Sequence, residues 1–354
     1  MTIKYLGQSD FYDCLRSEVA TYFREHHLKP TGDSRLYTKT AILVSLECFL
    51  FVVLVFFTPT NIFLSLFLCA LLGITFALLG FNVMHDASHG SYSSKPWVNR
   101  VLSLLADHMG ASSRNWKLKH VILHHTYTNT MHDDDINLKP IMRIHPEEKP
   151  LWFHRFQAWY AIFLYFLQYI EWVFYNDFKK YFRGKIGKTK ITFSRMEHFT
   201  FWSTKLLYIG VFLVLPMFMV GVVPTIVGYL VMGAACGLAL SIVFQLAHVV
   251  ETSMFPTANA EGKVDLPWAE AQVQETTDFA VNSKLAAWFL GGLNFQVVHH
   301  LFPKVSHVHY PALSKIVARV CKKYNITYNQ MTFWGALKSH FKTLDRLGNM
   351  PMAA

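Results

Sequence analysis

Four long apolar stretches constrain the fold of this 354-residue chain more than any other feature. Each is close to the ~20 residues that an α-helix needs to cross a bilayer. The stretches pair into two hairpins, because only short uncharged turns separate the members of each pair. They are residues 41–57 and 62–84, then 199–220 and 225–247. We therefore predict an all-α integral membrane protein with four transmembrane helices in two hairpins.

The basic residues indicate how these hairpins are oriented. Of 33 Lys and Arg residues, 6 precede Ala41, 16 lie between His85 and Glu197, and 10 follow Val249. Two hairpins bring all three of these segments to one side, and the positive-inside rule makes that side cytoplasmic. The net charge of +10 is thus explained by membrane topology, and we expect no nucleic acid partner. A bacterial inner membrane is favoured over the endoplasmic reticulum.

The stretches divide one predicted membrane domain, 1–354, into five parts. We predict a polar N-terminal arm (1–38), a first hairpin (41–84), a cytoplasmic region (85–197), a second hairpin (199–248) and a cytoplasmic helical cap (249–354). The arm lacks the apolar core of a signal peptide. Further helices are predicted along the membrane surface (96–109), half-buried at the interface (151–178) and within the cap (282–300, 311–324 and 333–347).

Histidines cluster beside the ends of the apolar stretches. Residues four apart share one face of a helix, so the pairs at 85/89 and 120/124 can share an ion. Keeping so many imidazoles near apolar surroundings is costly unless something binds them. Nitrogen ligands suit iron, zinc, copper or nickel, and eight are too many for one ion. We predict two metal ions with these candidate ligands: His85, His89, His120, His124, His125, His248, His299 and His300.

For other polar residues near these clusters, the sequence allows more than one role. Gln296 is predicted to bind metal or to hydrogen-bond a neighbouring imidazole. Asp86 and the run 133–135 are candidates for orienting ligand histidines, with a solvated loop or helix cap as the alternative. His132 is a further candidate near the second cluster. We expect the following histidines to be ordinary surface or interface residues: His26, His27, His145, His154, His198 and His340.

Three segments resemble the histidine boxes of membrane fatty acid desaturases. The first is His-Asp-Ala-Ser-His-Gly at 85–90, and the second is Trp-Lys-Leu-Lys-His-Val-Ile-Leu-His-His at 116–125. The third is Asn-Phe-Gln-Val-Val-His-His-Leu-Phe-Pro at 294–303. A glutamine opening the third box is similar to the front-end desaturases and their bacterial relatives.

The resemblance implies a membrane-bound acyl desaturase with a non-haem diiron centre. The eight candidate histidines would hold two iron ions, with O2 as co-substrate and a cis double bond as the product. Its substrate would be an acyl-CoA or an acyl-lipid. The chain has no His-Pro-Gly-Gly motif, so electrons are expected from a separate cytochrome b5 or ferredoxin with its reductase.

Two alternatives to desaturation stay open at this point. An acyl hydroxylase or acetylenase would use the same scaffold and the same metal ligands. A transporter could line a metal or proton path with histidines, but those histidines should lie near the middle of the membrane. The candidate ligands instead lie at the ends of apolar stretches.

Overall fold

The computed structural model of the protein describes residues 3–351 and is mainly helical. It contains four helices that are long and apolar enough to cross a membrane, which confirms the predicted fold class. We name them the first to fourth spans, and they are Ser34–Phe56, Ile62–His89, Arg195–Met219 and Val222–His248.

The lipid-facing character of the spans is visible in their surfaces. Phe63 near the start of the second span is 79% exposed, and Phe218 near the end of the third is 84% exposed. Such large apolar side chains are stable in contact with lipid. At the first turn, the Asn61 side chain accepts hydrogen bonds from the backbone N–H groups of Phe63 and Leu64 at 3.0 and 3.1 Å. This N-cap gives two backbone N–H groups the hydrogen-bond acceptor that lipid cannot supply.

The spans pack through small residues. A Cβ atom added at Gly73 would lie 2.0 Å from the Met232 carbonyl oxygen, so the second and fourth spans meet backbone to backbone. Gly237 of the fourth span is similarly close to the backbone of Tyr165. Close approach at small residues is a common way for membrane helices to associate.

The helix at 157–183 lies beside the fourth span and is half-buried, as predicted. Tyr165 and Tyr169 are buried on its inner face, whereas Trp159 is 80% exposed and Phe163 is 67% exposed. It is not among the helices apolar enough to cross a membrane. The helix is formed by Gln157–Glu171, a π-helical segment Trp172–Asn176, and Asp177–Arg183.

The remaining helices surround the ends of the second and fourth spans that bear histidines. They include the N-terminal helix Asp10–Glu25 and two amphipathic helices, Tyr310–Lys323 and Phe333–Asn349. The shorter ones are Pro96–Ser103, Leu105–His108, Ser113–Trp116, Lys117–His124, His125–Tyr127, His154–Phe156, Trp268–Glu275, Lys284–Phe289, Gln296–Leu301 and His307–His309.

The structure contains three small two-stranded sheets, two of which join distant parts of the chain. Lys4–Leu6 pairs in parallel with Lys263–Pro267, which places the N-terminal arm against the cap. Asp278–Phe279 pairs in parallel with Gln330–Met331. Lys185–Ile186 and Thr189–Lys190 form an antiparallel hairpin after the half-buried helix.

The predicted helix at 282–300 is wrong, because the structure breaks it into Lys284–Phe289 and Gln296–Leu301. Gly291 and Gly292 lie between the two pieces with φ values of 59° and 69°, a left-handed conformation that favours glycine. A Cβ atom at Gly291 would also lie 2.4 Å from the Phe81 carbonyl oxygen. The break therefore lets the cap contact the second span directly.

Three of the histidines expected at the surface or interface are instead buried. His145, His154 and His340 are 1%, 3% and 0% exposed. His340 lies 2.6 Å from the Tyr165 hydroxyl through Nε2 and 2.8 Å from the Val249 carbonyl oxygen through Nδ1. This ring joins the amphipathic helix Phe333–Asn349 to the half-buried helix, through Tyr165, and to the end of the fourth span, through Val249.

Candidate metal centre

The first histidine pair lies at the end of the second span. A π-helical segment, Gly80–Met84, precedes the α-helical turn His85–His89, and both rings are buried. Each π-helical turn accommodates an extra residue and so rotates the next part of the helix; such segments are frequent at functional sites. His85 and His89 share one face, with ring centroids 4.7 Å apart.

The second cluster lies on a π-helical segment, Lys117–His124, and on the residue after it. The α-helical spacing assumed from the sequence is therefore wrong here, since the turns are wider. Even so, the rings of His120 and His124 stack 5.0 Å apart. The Nε2 atom of His120 lies 3.3 Å from that of His85, which joins the first two clusters.

The fourth span and the cap complete the cluster. His248 is the last residue of its span and is fully buried. The short helix Gln296–Leu301 carries His299 and His300, both also fully buried. Its position is set by the glycine break at 291–292 and by Asp278, whose carboxylate accepts a hydrogen bond from the Val297 N–H at 2.9 Å.

The eight predicted ligands form one assembly in which sets of nitrogen atoms lie within 4.8 Å of one another. His85, His89, His120 and His299 make one such set, and His124, His248 and His300 make another. His125, together with His299 and His300, links the two sets. Two neighbouring groups fit two metal ions better than one.

Several nitrogen atoms of these rings are free to bind a metal ion. Among residues 3–351, the Nε2 atoms of His89, His124, His125 and His299 are buried without a hydrogen-bond partner. A buried polar atom left without a partner costs about 1–3 kcal/mol, so four in one place need a common ligand. Neutral imidazole nitrogen is the donor type expected for iron or zinc.

Hydrogen bonds at the opposite nitrogen orient several rings. The Nδ1–H groups of His120 and His124 donate to Asp135 and Asp133, each at 2.8 Å. That of His300 donates to the side-chain oxygen of Gln272 at 2.7 Å. With its proton on Nδ1, each ring presents the Nε2 lone pair to the cluster. The predicted orienting role of the acidic run is thus matched by contacts from two of its residues.

Burial and neighbouring rings keep most of these histidines neutral. Burial and the adjacent imidazoles hold the pKa values of His125, His299 and His300 well below the ordinary value. At His124, burial lowers the pKa, but the Asp133 carboxylate outweighs it, so the net shift of the pKa is upward. A carboxylate at this position raises the basicity of a ligand histidine.

The three less certain candidates, Gln296, Asp86 and His132, differ in their position relative to the histidine cluster. Gln296 lies between two ligand candidates, with its Nε2 atom 2.9 Å from His248 Nε2 and 3.3 Å from His300 Nε2. Asp86 points away from the cluster and accepts hydrogen bonds from Ser306 Oγ at 2.7 Å and the His307 N–H at 3.2 Å. His132 belongs to none of the metal-sized groups among the described residues.

Sequence reasoning missed the chain of contacts behind His300. The Gln272 amide donates to Glu275 at 2.8 Å, and the Tyr5 hydroxyl lies 3.3 Å from the same carboxyl group. Burial, together with nearby Asp133, raises the pKa of Glu275 well above its usual value. Gln272 and Glu275 lie on a polar helix with no histidine and no motif spacing, so nothing in the sequence marks them.

A cavity of about 1090 Å³ adjoins the cluster. This volume is slightly above the ~300–1,000 Å³ usual for ligand sites. His85, His120 and Gln296 line it, as do apolar side chains within the spans and basic side chains outside them. Its apolar walls include Gly80, Phe81, Met109, Ile170, Leu240 and Phe244.

Comparison with known proteins decides the family. Residues 61–332 match the family model for fatty acid desaturases. The chain belongs to the fatty acid desaturase family. It is 37% identical to sn-1 linoleoyl-lipid 6-desaturase of Synechocystis sp., covering 98% of both chains. It is 35% identical to the protein of that name from Arthrospira platensis, covering 95% of this chain and 92% of the other.

A relative from a moss is similar over a shorter part of its own length. The chain is 35% identical to acyl-lipid (8-3)-desaturase of Physcomitrium patens, covering 98% of this chain and 74% of that one. This membership confirms the resemblance seen in the histidine boxes. The desaturase is an oxidoreductase that acts on acyl chains, and its buried histidine clusters are consistent with a metal site.

Proposed function

We propose that this desaturase introduces a cis double bond into the acyl chain of a membrane lipid, using O2 and two iron ions. The observation that carries the proposal is the cavity, because the same space is lined by two cluster histidines and by apolar side chains of the spans. The residues proposed to hold the irons are His85, His89, His120, His124, His125, His248, His299 and His300. Gln296 is proposed to bind metal or to orient its two histidine neighbours.

The bound irons would supply the oxidising chemistry that removes one hydrogen atom from each of two adjacent methylene groups. The protein's own part is positioning and exclusion of water. The walls at Gly80, Met109 and Leu240 have no charge and would hold an extended acyl chain. The carboxylates of Asp133 and Asp135 accept hydrogen bonds from two of the imidazoles, so these two proposed ligands would be oriented before substrate arrives.

The names of the relatives support an acyl-lipid as the substrate. The cyanobacterial relatives are named for action on a linoleoyl-lipid and the moss relative for action on an acyl-lipid. Electrons are proposed to come from a separate cytochrome b5 or ferredoxin with its reductase. Gln296 opens the third histidine box, as a glutamine does in front-end desaturases. We therefore propose that the position of the double bond follows the front-end pattern.

The chain is proposed to function as a single domain whose metal centre faces the cytoplasm. Regions 85–197 and 249–354 would then share that side, which agrees with the distribution of basic residues. A reporter enzyme fused after Thr58, between the first two spans, should be active only on the outer side of the membrane. A cytoplasmic signal from that fusion would reverse the proposed orientation.

Fatty acid profiling by gas chromatography–mass spectrometry tests the activity. Cells producing the wild-type chain, with a cytochrome b5 or a ferredoxin system and labelled precursors, should contain a new unsaturated product. The His299→Ala variant should lack it and retain less iron, because His299 belongs to two of the nitrogen groups. His26→Ala, an exposed histidine in the N-terminal region, is the matched control and should leave the product unchanged.

Metal analysis of the purified protein completes the test. Two irons per chain are expected for the wild type. Absence of any new product with both electron-donor systems supplied would contradict desaturation. Another metal at full occupancy, with activity that iron does not raise, would contradict the diiron centre.

A further inference from the structure

One glutamine of the fourth span is buried in the wall of the cavity without a hydrogen-bond partner. Gln245 is 5% exposed and lines the cavity, and it precedes the candidate ligand His248 by three residues on the same helix. Among residues 3–351, no donor reaches its side-chain oxygen. An unpaired buried polar atom destabilises a protein, so the position of this amide needs a physical reason.

Two other buried amides show that the packing can satisfy such a group at both ends. In the second span, the Asn82 oxygen accepts a hydrogen bond from the Lys39 Nζ atom at 2.8 Å, and its NH2 group donates to the Leu78 carbonyl at 2.8 Å. Both ends of the Gln157 amide are likewise paired with backbone groups. The Gln245 amide is therefore an exception within the part of the chain that the structure describes.

The wall around this amide is mainly apolar. Leu240, Val243 and Phe244 line the cavity from the same end of the fourth span. The other polar residue of this wall is Ser241, which carries one small hydroxyl group. A polar side chain in a membrane span usually pairs with a neighbouring helix or serves a ligand. Since Gln245 lacks a protein partner for its oxygen and lines the cavity, its amide is placed to meet the molecule that the cavity binds.

The proposed occupant of the cavity has one polar group that fits this amide. An acyl chain is hydrocarbon except for the carbonyl that joins it to its carrier, and this carbonyl accepts hydrogen bonds in esters and thioesters alike. A glutamine amide has two N–H donors. Gln245 can therefore donate to the carbonyl, whereas a hydrocarbon segment beside it would leave the amide unpaired.

The place of Gln245 on its helix relates such a carbonyl to the metal centre. Residues three apart share one helix face, with about 5–6 Å between their Cβ atoms. His248 belongs to one of the nitrogen groups of the candidate metal centre. A carbonyl bound at Gln245 would thus lie within a few methylene groups of the cluster. Oxidation would then fall in the carboxyl half of the chain, in agreement with the proposed front-end pattern.

We infer that Gln245 donates a hydrogen bond to the acyl carbonyl of the substrate and so sets the position of the double bond from the carboxyl end. This inference rests on the proposed acyl-chain desaturation and makes Gln245 a specificity-determining residue of that reaction. Because every acyl chain begins at this carbonyl, the double bond should keep its distance from the carbonyl when the chain is lengthened.

Binding to the purified, iron-loaded chain in detergent, without reductant, tests the inference without turnover. The probes are radiolabelled distearoyl phosphatidylcholine and its dialkyl ether analogue, which share headgroup and chain length and differ in the carbonyl groups. We expect the wild type to bind the ester about two- to tenfold more tightly than the ether, the range for one net hydrogen bond. Gln245→Met removes the amide at similar length, so it should abolish this preference and leave ether binding unchanged.

A second glutamine of the cavity provides the matched control. Gln168 lines the cavity from the half-buried helix, and its side-chain oxygen is also buried without a partner among residues 3–351. Gln168→Met should keep the ester preference, because Gln168 is not on the helix that carries His248. A thermal melt and the iron content of each variant check the fold and the metal centre. Gln245→Leu takes the place of Gln245→Met if the latter does not fold.

Double-bond position in cells supplied with precursors of different length tests the positioning role. The wild type should place the new bond at one distance from the carbonyl in all of them, as measured by gas chromatography–mass spectrometry. Gln245→Met should spread the bond over neighbouring positions. A lower rate with an unchanged position would contradict the positioning role, since a merely structural defect slows the reaction without moving its site.

The outcomes separate this inference from the proposed reaction. An ester preference that is lost in Gln245→Met and kept in Gln168→Met supports the inference. Equal binding of ester and ether by the wild type, or a preference that Gln245→Met keeps, overturns it. Loss of the preference in Gln168→Met alone also overturns the assignment to Gln245. Absence of product from the wild type counts against the proposed reaction, whereas an active enzyme without an ester preference loses only this inference.

Discussion

At the scale of single residues, the arrangement of the candidate metal centre depends on side chains outside the set of candidate ligands. His300 is fixed through Gln272, which is in turn fixed by Glu275. Gln272 is fully buried, so its amide cannot be replaced by water without rearrangement. Partners of this kind commonly change metal affinity or activity by about 10–100-fold when they are removed.

We therefore expect Gln272→Ala to lower iron affinity and product formation by about tenfold or more, with little loss of helix content. His300 would lose the acceptor that holds its proton on Nδ1. Iron content after dialysis against a graded chelator series measures the change. Gln274→Ala is the matched control, because that glutamine is on the same helix and only partly buried. Equal iron loss in both variants would show a general effect of the helix.

The residue scale also shows the limit of sequence reasoning about this site. The eight histidines that the structure brings together can be proposed as ligands from the sequence, because seven of them fall in three close groups and His248 ends an apolar stretch. Gln272 and Tyr310 cannot be identified from the sequence, although the Tyr310 hydroxyl lies 3.1 Å from His299 Nδ1. Their contacts arise from tertiary packing of the cap, and single glutamine or tyrosine residues carry no spacing signal.

At the scale of elements, the glycine pair between the two cap helices controls where the third histidine box lies. Gly291 has φ of 59° and approaches the backbone of Phe81 in the second span. The sequence predicts one continuous helix here, since helical periodicity outweighs a local glycine signal. It also gives no sign of the π-helical segments before His85 and His125, because one extra residue in a turn leaves composition unchanged.

We expect Gly291→Ala to destabilise the protein by about 1–3 kcal/mol, the usual cost of a non-glycine residue held in a rare backbone conformation. The new Cβ atom would also press on Phe81 and displace the helix that carries His299. Thermal unfolding in detergent and iron content measure the two effects. Gly210→Ala in the third span is the control, since its added Cβ atom meets nothing within 4 Å. An unchanged melting temperature for Gly291→Ala would refute the proposed role of this contact.

At the scale of the whole molecule, the four spans provide a membrane anchor, and the second and fourth of them also line the cavity beside the histidine cluster. Their lengths and order could be predicted because a bilayer requires long apolar helices with satisfied backbones. The cavity could not be predicted from the sequence, because it forms between three elements: the second span, the fourth span and the half-buried helix. Leu240 and Gly80 meet there, with Leu240 Cδ2 4.0 Å from the site of a Cβ atom at Gly80.

This arrangement predicts that the inner part of the cavity limits the acyl chains that are accepted. Leu240→Phe would fill space beside Gly80 and Met109, so conversion of long precursors should fall several-fold while shorter ones are retained. Leu230→Phe is the control, because Leu230 is on the same span, is 50% exposed and does not line the cavity. Profiling products from a mixture of precursor lengths gives the ratio directly. An equal loss at every chain length would show that Leu240 acts on stability alone, whereas a length-dependent loss would place the methyl end of the substrate between the second and fourth spans.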